Sequence, residues 1–114
     1  KASIAECSVR DVQKCMTPNT LLIDIREPAE YQRGHIPHAA LVPRGLLEFE
    51  IHGVVDRHVH GRGIANADAP IILYCGTGGR SALAAKSIQD MGYNNVLSMA
   101  GGIVAWSEAG LPLE

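Results

Sequence analysis

The sequence predicts an α/β fold built on a mainly parallel sheet with helices on both faces, and three observations carry that prediction. Residues 21–25 (Leu-Leu-Ile-Asp-Ile) and 71–74 (Ile-Ile-Leu-Tyr) are short apolar runs without polar alternation, the pattern of strands buried on both faces. Segments with helical propensity stand between such runs, so strand and helix alternate along the chain. Glycine-rich turns punctuate the strand ends, most visibly Cys75-Gly76-Thr77-Gly78-Gly79-Arg80. With right-handed crossovers, an open sheet of this kind places its functional site at the carboxyl ends of the strands. The 114 residues make one domain, spanning 1–114, large enough for a core and too small for two.

In chain order, residues 2–7 read as a short edge strand. Ser8 caps a helix over residues 9–16, with Val9, Val12 and Met16 inward. Thr17-Pro18-Asn19 ends that helix, and the second strand, residues 21–25, carries Asp24 near its carboxyl end. Pro28 opens a short helix that Gly34 closes. His35-Ile36-Pro37-His38 turns the chain into a brief strand reaching Val42, with His35 as a turn-stabilising imidazole. Residues 46–51 supply a helical turn or two. Residues 52–69, rich in Gly, His and charge, read as a surface excursion that shapes access to Cys75. The central strand, 71–74, leads through the glycine loop to a helix over residues 81–88, with Leu83, Ser87 and Ile88 near one face. Met91-Gly92-Tyr93 stops that helix, residues 96–99 form the last strand, and Gly101-Gly102 leads into a final helix over 103–109 anchored by Trp106.

Composition narrows the function. A formal charge of −2 with interspersed signs provides no basic patch, so neither nucleic acid nor an anionic membrane is an expected partner, and no apolar run reaches membrane-spanning length. Three cysteines cannot all pair, and their spacing matches neither a redox C-x-x-C nor a zinc pattern. Cys7 and Cys15 read as packing residues. A working thiol favours a reducing compartment, which makes the cytoplasm the expected location. His52, His58 and His60 lack a carboxylate or cysteine at ligand spacing, so no metal site is assigned, and no cofactor is required. The chain opens at Lys1 rather than methionine, and an upstream segment is therefore expected.

Cys75 falls between a strand end and a helix start, where backbone N–H groups converge and favour an anion. Gly76, Gly78 and Gly79 allow the turn to adopt positive φ. A free thiol titrates near about pH 8.5, and a helix N-terminus with an adjacent guanidinium, here Arg80, lowers that value. The stretch therefore describes an ionised cysteine in an anion cradle made by Gly76, Thr77, Gly78, Gly79, Arg80 and Ser81.

Three ordered motifs carry a family resemblance over nearly the whole chain: Asp24-Ile25-Arg26-Glu27 with Glu30-Tyr31 and Gly34-His35-Ile36-Pro37-His38-Ala39; Cys75 to Arg80 with Ser81; and Gly101-Gly102-Ile103 with Ala105-Trp106 and Gly110-Leu111-Pro112. The sequence resembles the single-domain rhodaneses, or thiosulfate sulfurtransferases. The resemblance implies a doubly wound sheet of about five strands. It also implies two-step sulfur transfer, in which Cys75 takes the outer sulfur of thiosulfate or a persulfide donor and passes it to cyanide or a thiol, protein thiols included. Asp24 and Arg26 match the family's Asp-x-Arg pair and read as a brace for the loop edge. The rivals are a phosphatase or arsenate reductase of the same fold and a non-enzymatic sulfur-carrier or interaction module. Four residues separate Cys75 from Arg80, one fewer than in the phosphatase-type loop, and the presence of Cys75 argues against a bare binding module.

Overall fold

The computed structural model describes residues 5–114. Five parallel strands form one sheet in the order β1-β5-β4-β2-β3. They are β1 (Glu6–Cys7), β2 (Leu21–Asp24), β3 (Ala40–Leu41), β4 (Ile71–Tyr74) and β5 (Val96–Met99). The helices are α1 (Val9–Cys15), α2 (Pro28–Arg33), α3 (Leu47–Val59), α4 (Gly79–Asp90) and α5 (Gly102–Glu108). The part of the expected first strand before Ala5 lies outside the described residues.

The pleat of the central strands splits the core into two layers. Ile23, Leu73 and Cys75 pack with Leu47, Ile51 and Val55 of α3 and with Ala84, Ala85 and Ile88 of α4. Leu22, Ile72 and Tyr74 face the other way, against Val12 of α1 and Trp106 of α5. All residues of β2 and β4 are buried, as their unbroken apolar runs require of strands covered on both faces.

Local signals explain most boundaries. The Ser8 hydroxyl accepts the Asp11 N–H at 3.1 Å at the start of α1, satisfying one of the free donors of a first helical turn. Pro28 opens α2, and the Glu30 side chain reaches back to the Glu27 N–H at 3.0 Å. His35 holds its turn in three ways: its Nδ1 lies 3.0 Å from the Tyr31 carbonyl, its ring stacks on Tyr31, and its backbone exchanges two hydrogen bonds with Glu114.

Three expectations are corrected. The helical turn expected at residues 46–51 is a 3₁₀ turn at Arg44–Leu46 followed by a 13-residue helix, so the surface excursion shrinks to the stretch after Val59. Leu47, Ile51, Val55 and Val59, four apart, form its buried stripe, and the segment is a core-covering helix rather than a loose flap. In α4 the inward residues are Ser81, Ala84, Ala85 and Ile88, whereas Leu83 is 70% exposed; five residues of helix turn Leu83 well away from Ile88. Cys15 is exposed because it ends α1 away from the Val9–Val12 stripe, so only Cys7 packs as expected.

Candidate active site

β4 ends at Tyr74, and Cys75 opens the turn into α4. Cys75 is 1% exposed. The Gly78 N–H donates to its Sγ at 3.1 Å and the Ser81 N–H at 3.4 Å, and the Ser81 Oγ lies 3.6 Å away. Burial pushes the thiol up, but bonds from the Ser81 hydroxyl and the Ser81, Gly78 and Thr77 N–H groups outweigh it, and the Cys75 thiol is held below its ordinary range. At Cys7 the balance is reversed: burial, with Asp11 nearby, pushes the thiol up to about 11. Cys7 and Cys75 also sit in opposite core layers, with the sheet between them.

The loop needs glycine at fewer places than the sequence implied. Of its three glycines only Gly78 has positive φ, 104°, which swings its amide onto the sulfur. Gly102 is the more demanding position: at φ 59° its missing side chain would lie 2.5 Å from the carbonyl oxygens of Cys75 and Gly76. This contact lets α5 grip the loop, because the Ile103 N–H donates to the Cys75 carbonyl at 2.9 Å and the Val104 N–H to the Gly76 carbonyl at 3.1 Å. Two helix starts therefore hold the loop, α4 from the sulfur side and α5 from the carbonyl side. The Gly101-Gly102 pair was visible in the sequence, but only as a turn.

Arg80 is exposed and makes no ion pair among the described residues. Its guanidinium lies above Gly76, and it is not among the leading influences on the Cys75 thiol. Against the expectation that the Arg80 guanidinium leads, the leading influences that hold the thiol down are hydrogen bonds from Ser81, Gly78 and Thr77, and among the described residues the arginine is unpaired at the mouth of the loop.

Asp24 and Arg26 form a buried pair. Arg26 donates through Nη2 to Oδ2 at 2.8 Å and through Nε to Oδ1 at 3.0 Å, its backbone N–H reaches Oδ1 at 2.9 Å, and Nη2 also donates to the Gly34 carbonyl at 2.7 Å. Asp24 stands opposite Tyr74 in register, so the pair braces the end of β4 from the layer away from the Cys75 sulfur. The Tyr74 hydroxyl, in turn, accepts the Ile36 N–H at 3.1 Å.

The histidines do not converge. His52 pairs through Nδ1 with the Tyr93 hydroxyl, and His58 Nε2 contacts the Asn19 carbonyl at 2.7 Å. Among the described residues no group of three or more potential ligands is placed to hold a metal ion, and no helix is long and apolar enough to cross a membrane.

A family model described as rhodanese-like domain matches residues 8–109. The chain belongs to the rhodanese-like family. A sulfurtransferase of Allochromatium vinosum is 35% identical over 85% of this chain and 80% of its own length. Among solved structures, the thiosulfate sulfurtransferase of Pseudomonas aeruginosa superposes with a TM-score of 0.78 at 31% identity, covering 96% of this chain and 20% of that one. A protein of unknown function from Rhodopseudomonas palustris, described as a possible tyrosine phosphatase, gives 0.78 at 35% identity over 97% of this chain and 85% of that one. Some relatives are much longer: this rhodanese-like chain spans only 27% of the tRNA uridine(34) hydroxylase of Yersinia enterocolitica, to which it is 32% identical. Family membership and the single-domain relative together support a sulfurtransferase-type enzyme.

Proposed function

We propose that this rhodanese-like chain moves sulfane sulfur from thiosulfate or a persulfide donor to a thiophilic acceptor, cyanide or a thiol, through a persulfide on Cys75. The observation that carries this reading is the pair of backbone N–H donors, from Gly78 and Ser81, aimed at one sulfur atom, Cys75 Sγ, with the Ser81 hydroxyl beside it. The thiolate attacks the outer sulfur of thiosulfate. The new Cys75 S–S bond forms as the bond to the sulfonate sulfur breaks, and sulfite leaves with the electron pair. The acceptor then attacks the terminal sulfur of the persulfide, leaves with it and returns the thiolate. Donors fixed before reaction stabilise the anion on Cys75 at both stages without reorganisation. No metal or cofactor enters these steps. In this reading the protein works in a reducing compartment such as the cytoplasm, on small-molecule donors and on thiols that include protein thiols, and without a nucleic-acid or membrane partner.

Intact-mass and peptide mass spectrometry after incubation with thiosulfate tests the reading. One added sulfur on Cys75 and none on Cys7 is the expected result, and Cys75→Ser should abolish both the adduct and cyanide-dependent thiosulfate cleavage while leaving the fold unchanged. Cleavage retained by Cys75→Ser would overturn it.

A further inference from the structure

Ser98 is fully buried at the middle of β5, in register with Leu73 of β4 and so on the aliphatic side of the sheet that holds Cys75. Its Oγ lies 2.8 Å from Ser81 Oγ, and among the described residues no other side chain or carbonyl is within hydrogen-bonding reach of that hydroxyl. A buried hydroxyl proton without an acceptor is costly. The Ser98 proton therefore points at Ser81 Oγ, which fixes the direction of the bond. Ser81, now an acceptor, keeps its own proton, which it donates to the Gly78 carbonyl at 3.1 Å while the neutral Cys75 thiol donates to Ser81 Oγ at 3.6 Å; once that sulfur is a thiolate, it becomes a second target for the Ser81 proton.

The geometry points to Ser98 as a positioning residue for Cys75: by donating to Ser81 Oγ it commits the Ser81 proton outward, toward the sulfur and its loop. One effect follows from the chain Ser98–Ser81–Cys75: donation from Ser98 polarises the Ser81 O–H and strengthens its bond to a thiolate. Strands β4 and β5 carry no charged residue. The charged side chains of α4 are exposed Arg80 and the Lys86–Asp90 pair, and on the α3 side Arg44 pairs with Glu48; none of them bonds to the three groups of the chain.

This inference rests on the reading of Cys75 as the nucleophile, and the test separates the two. The rate of Cys75 alkylation by iodoacetamide is measured against pH in the unmodified protein, in Ser98→Ala, in Ser81→Ala and in the double variant, with thiosulfate cleavage and thermal midpoint recorded for each. Ser98→Ala should raise the alkylation midpoint by about half a pH unit, with a roughly threefold slower reaction at any pH below the midpoint. In the Ser81→Ala background the same change should have no effect on the midpoint, because its route to the sulfur is gone. Ser98→Thr, which restores a hydroxyl, should return the midpoint toward that of the unmodified protein. An unchanged midpoint in Ser98→Ala, or an equal shift with and without Ser81, overturns the assignment and leaves Ser98 a packing residue. Failure of the unmodified protein to cleave thiosulfate, with the alkylation pattern as expected, would instead overturn the sulfur-transfer reading and leave the relay standing.

Discussion

At Cys75 the sulfur is stabilised by directed N–H and O–H groups, and the full charge beside it has a different task. Arg80 is exposed and unpaired among the described residues, the position of a cation that attracts a dianion rather than one that ionises a buried thiol. Arg80→Ala should therefore leave the alkylation midpoint of Cys75, which lies below the ordinary thiol range, within a few tenths of a pH unit. It should slow loading from thiosulfate by roughly fivefold, about 1 kcal/mol for an exposed pair, and added salt should shrink the difference by screening. Because the Cys75 value is depressed, thiosulfate cleavage should be flat above the thiolate midpoint and fall as pH drops through it. A stopped-flow loading series at two ionic strengths reads both effects, and a large midpoint shift in Arg80→Ala would return the arginine to the role its place in the sequence suggested. The cysteine, its loop and the Asp24–Arg26 pair were all legible as residue types at meaningful spacing. Ser98 was not, because one serine in a four-residue strand carries no signal until its facing partner is known.

Among the elements, α3 shows where sequence patterning misled. Gly53, three histidines and scattered charge between residues 48 and 60 look like loop composition, and they hide the four-residue spacing of Leu47, Ile51, Val55 and Val59. Tertiary burial of that stripe overrides the weak local propensity. Ile51→Ala should accordingly cost about 2–5 kcal/mol, whereas Phe49→Ala, at a position 87% exposed, should stay within about 0.5 kcal/mol; paired denaturant titrations decide it. The junction of α5 with the loop is equally demanding. Gly102→Ala puts a carbon 2.5 Å from two carbonyl oxygens of the cysteine loop, so the loop or the helix must move. The expected result is a loss of about 2–3 kcal/mol and a fall in sulfur transfer larger than Tm alone explains. Gly110→Ala is the control, since it has positive φ but open space around it, and it should cost about 1 kcal/mol with activity kept.

The strand order of the whole molecule explains why the site is where it is and what it excludes. β2 and β4 are neighbours, yet the chain leaves β2 toward β3 on one side and β4 toward β5 on the other, so the crevice between them is a switch point where open α/β sheets bind ligands. Asp24 ends one strand and Cys75 follows the other. The pleat then parts their side chains: Asp24 pairs in register with Tyr74, whose ring is in the layer opposite Cys75, and Arg26 holds the carboxylate there. On the Cys75 side, Glu48 is bonded to the Ser87 hydroxyl at 2.5 Å and to Arg44 at 2.8 Å, and these partners hold its carboxyl below the usual range. Neither carboxylate is placed to protonate a leaving alcohol, as aryl phosphate hydrolysis by a cysteine loop requires. The loop itself spends the Gly78 and Ser81 amides on the sulfur atom, while a transferring phosphoryl group needs donors spread over three equatorial oxygens. The protein should therefore cleave thiosulfate and leave aryl phosphates essentially untouched. A glycine inserted between Gly78 and Gly79 should widen the cradle, pull the Gly78 amide off the sulfur and lower thiosulfate cleavage by at least about tenfold, the equivalent of one charge-assisted hydrogen bond. Assays of both substrates on both proteins test this, and faster hydrolysis of an aryl phosphate than of thiosulfate by the unmodified protein would replace the sulfur-transfer reading with the phosphatase one.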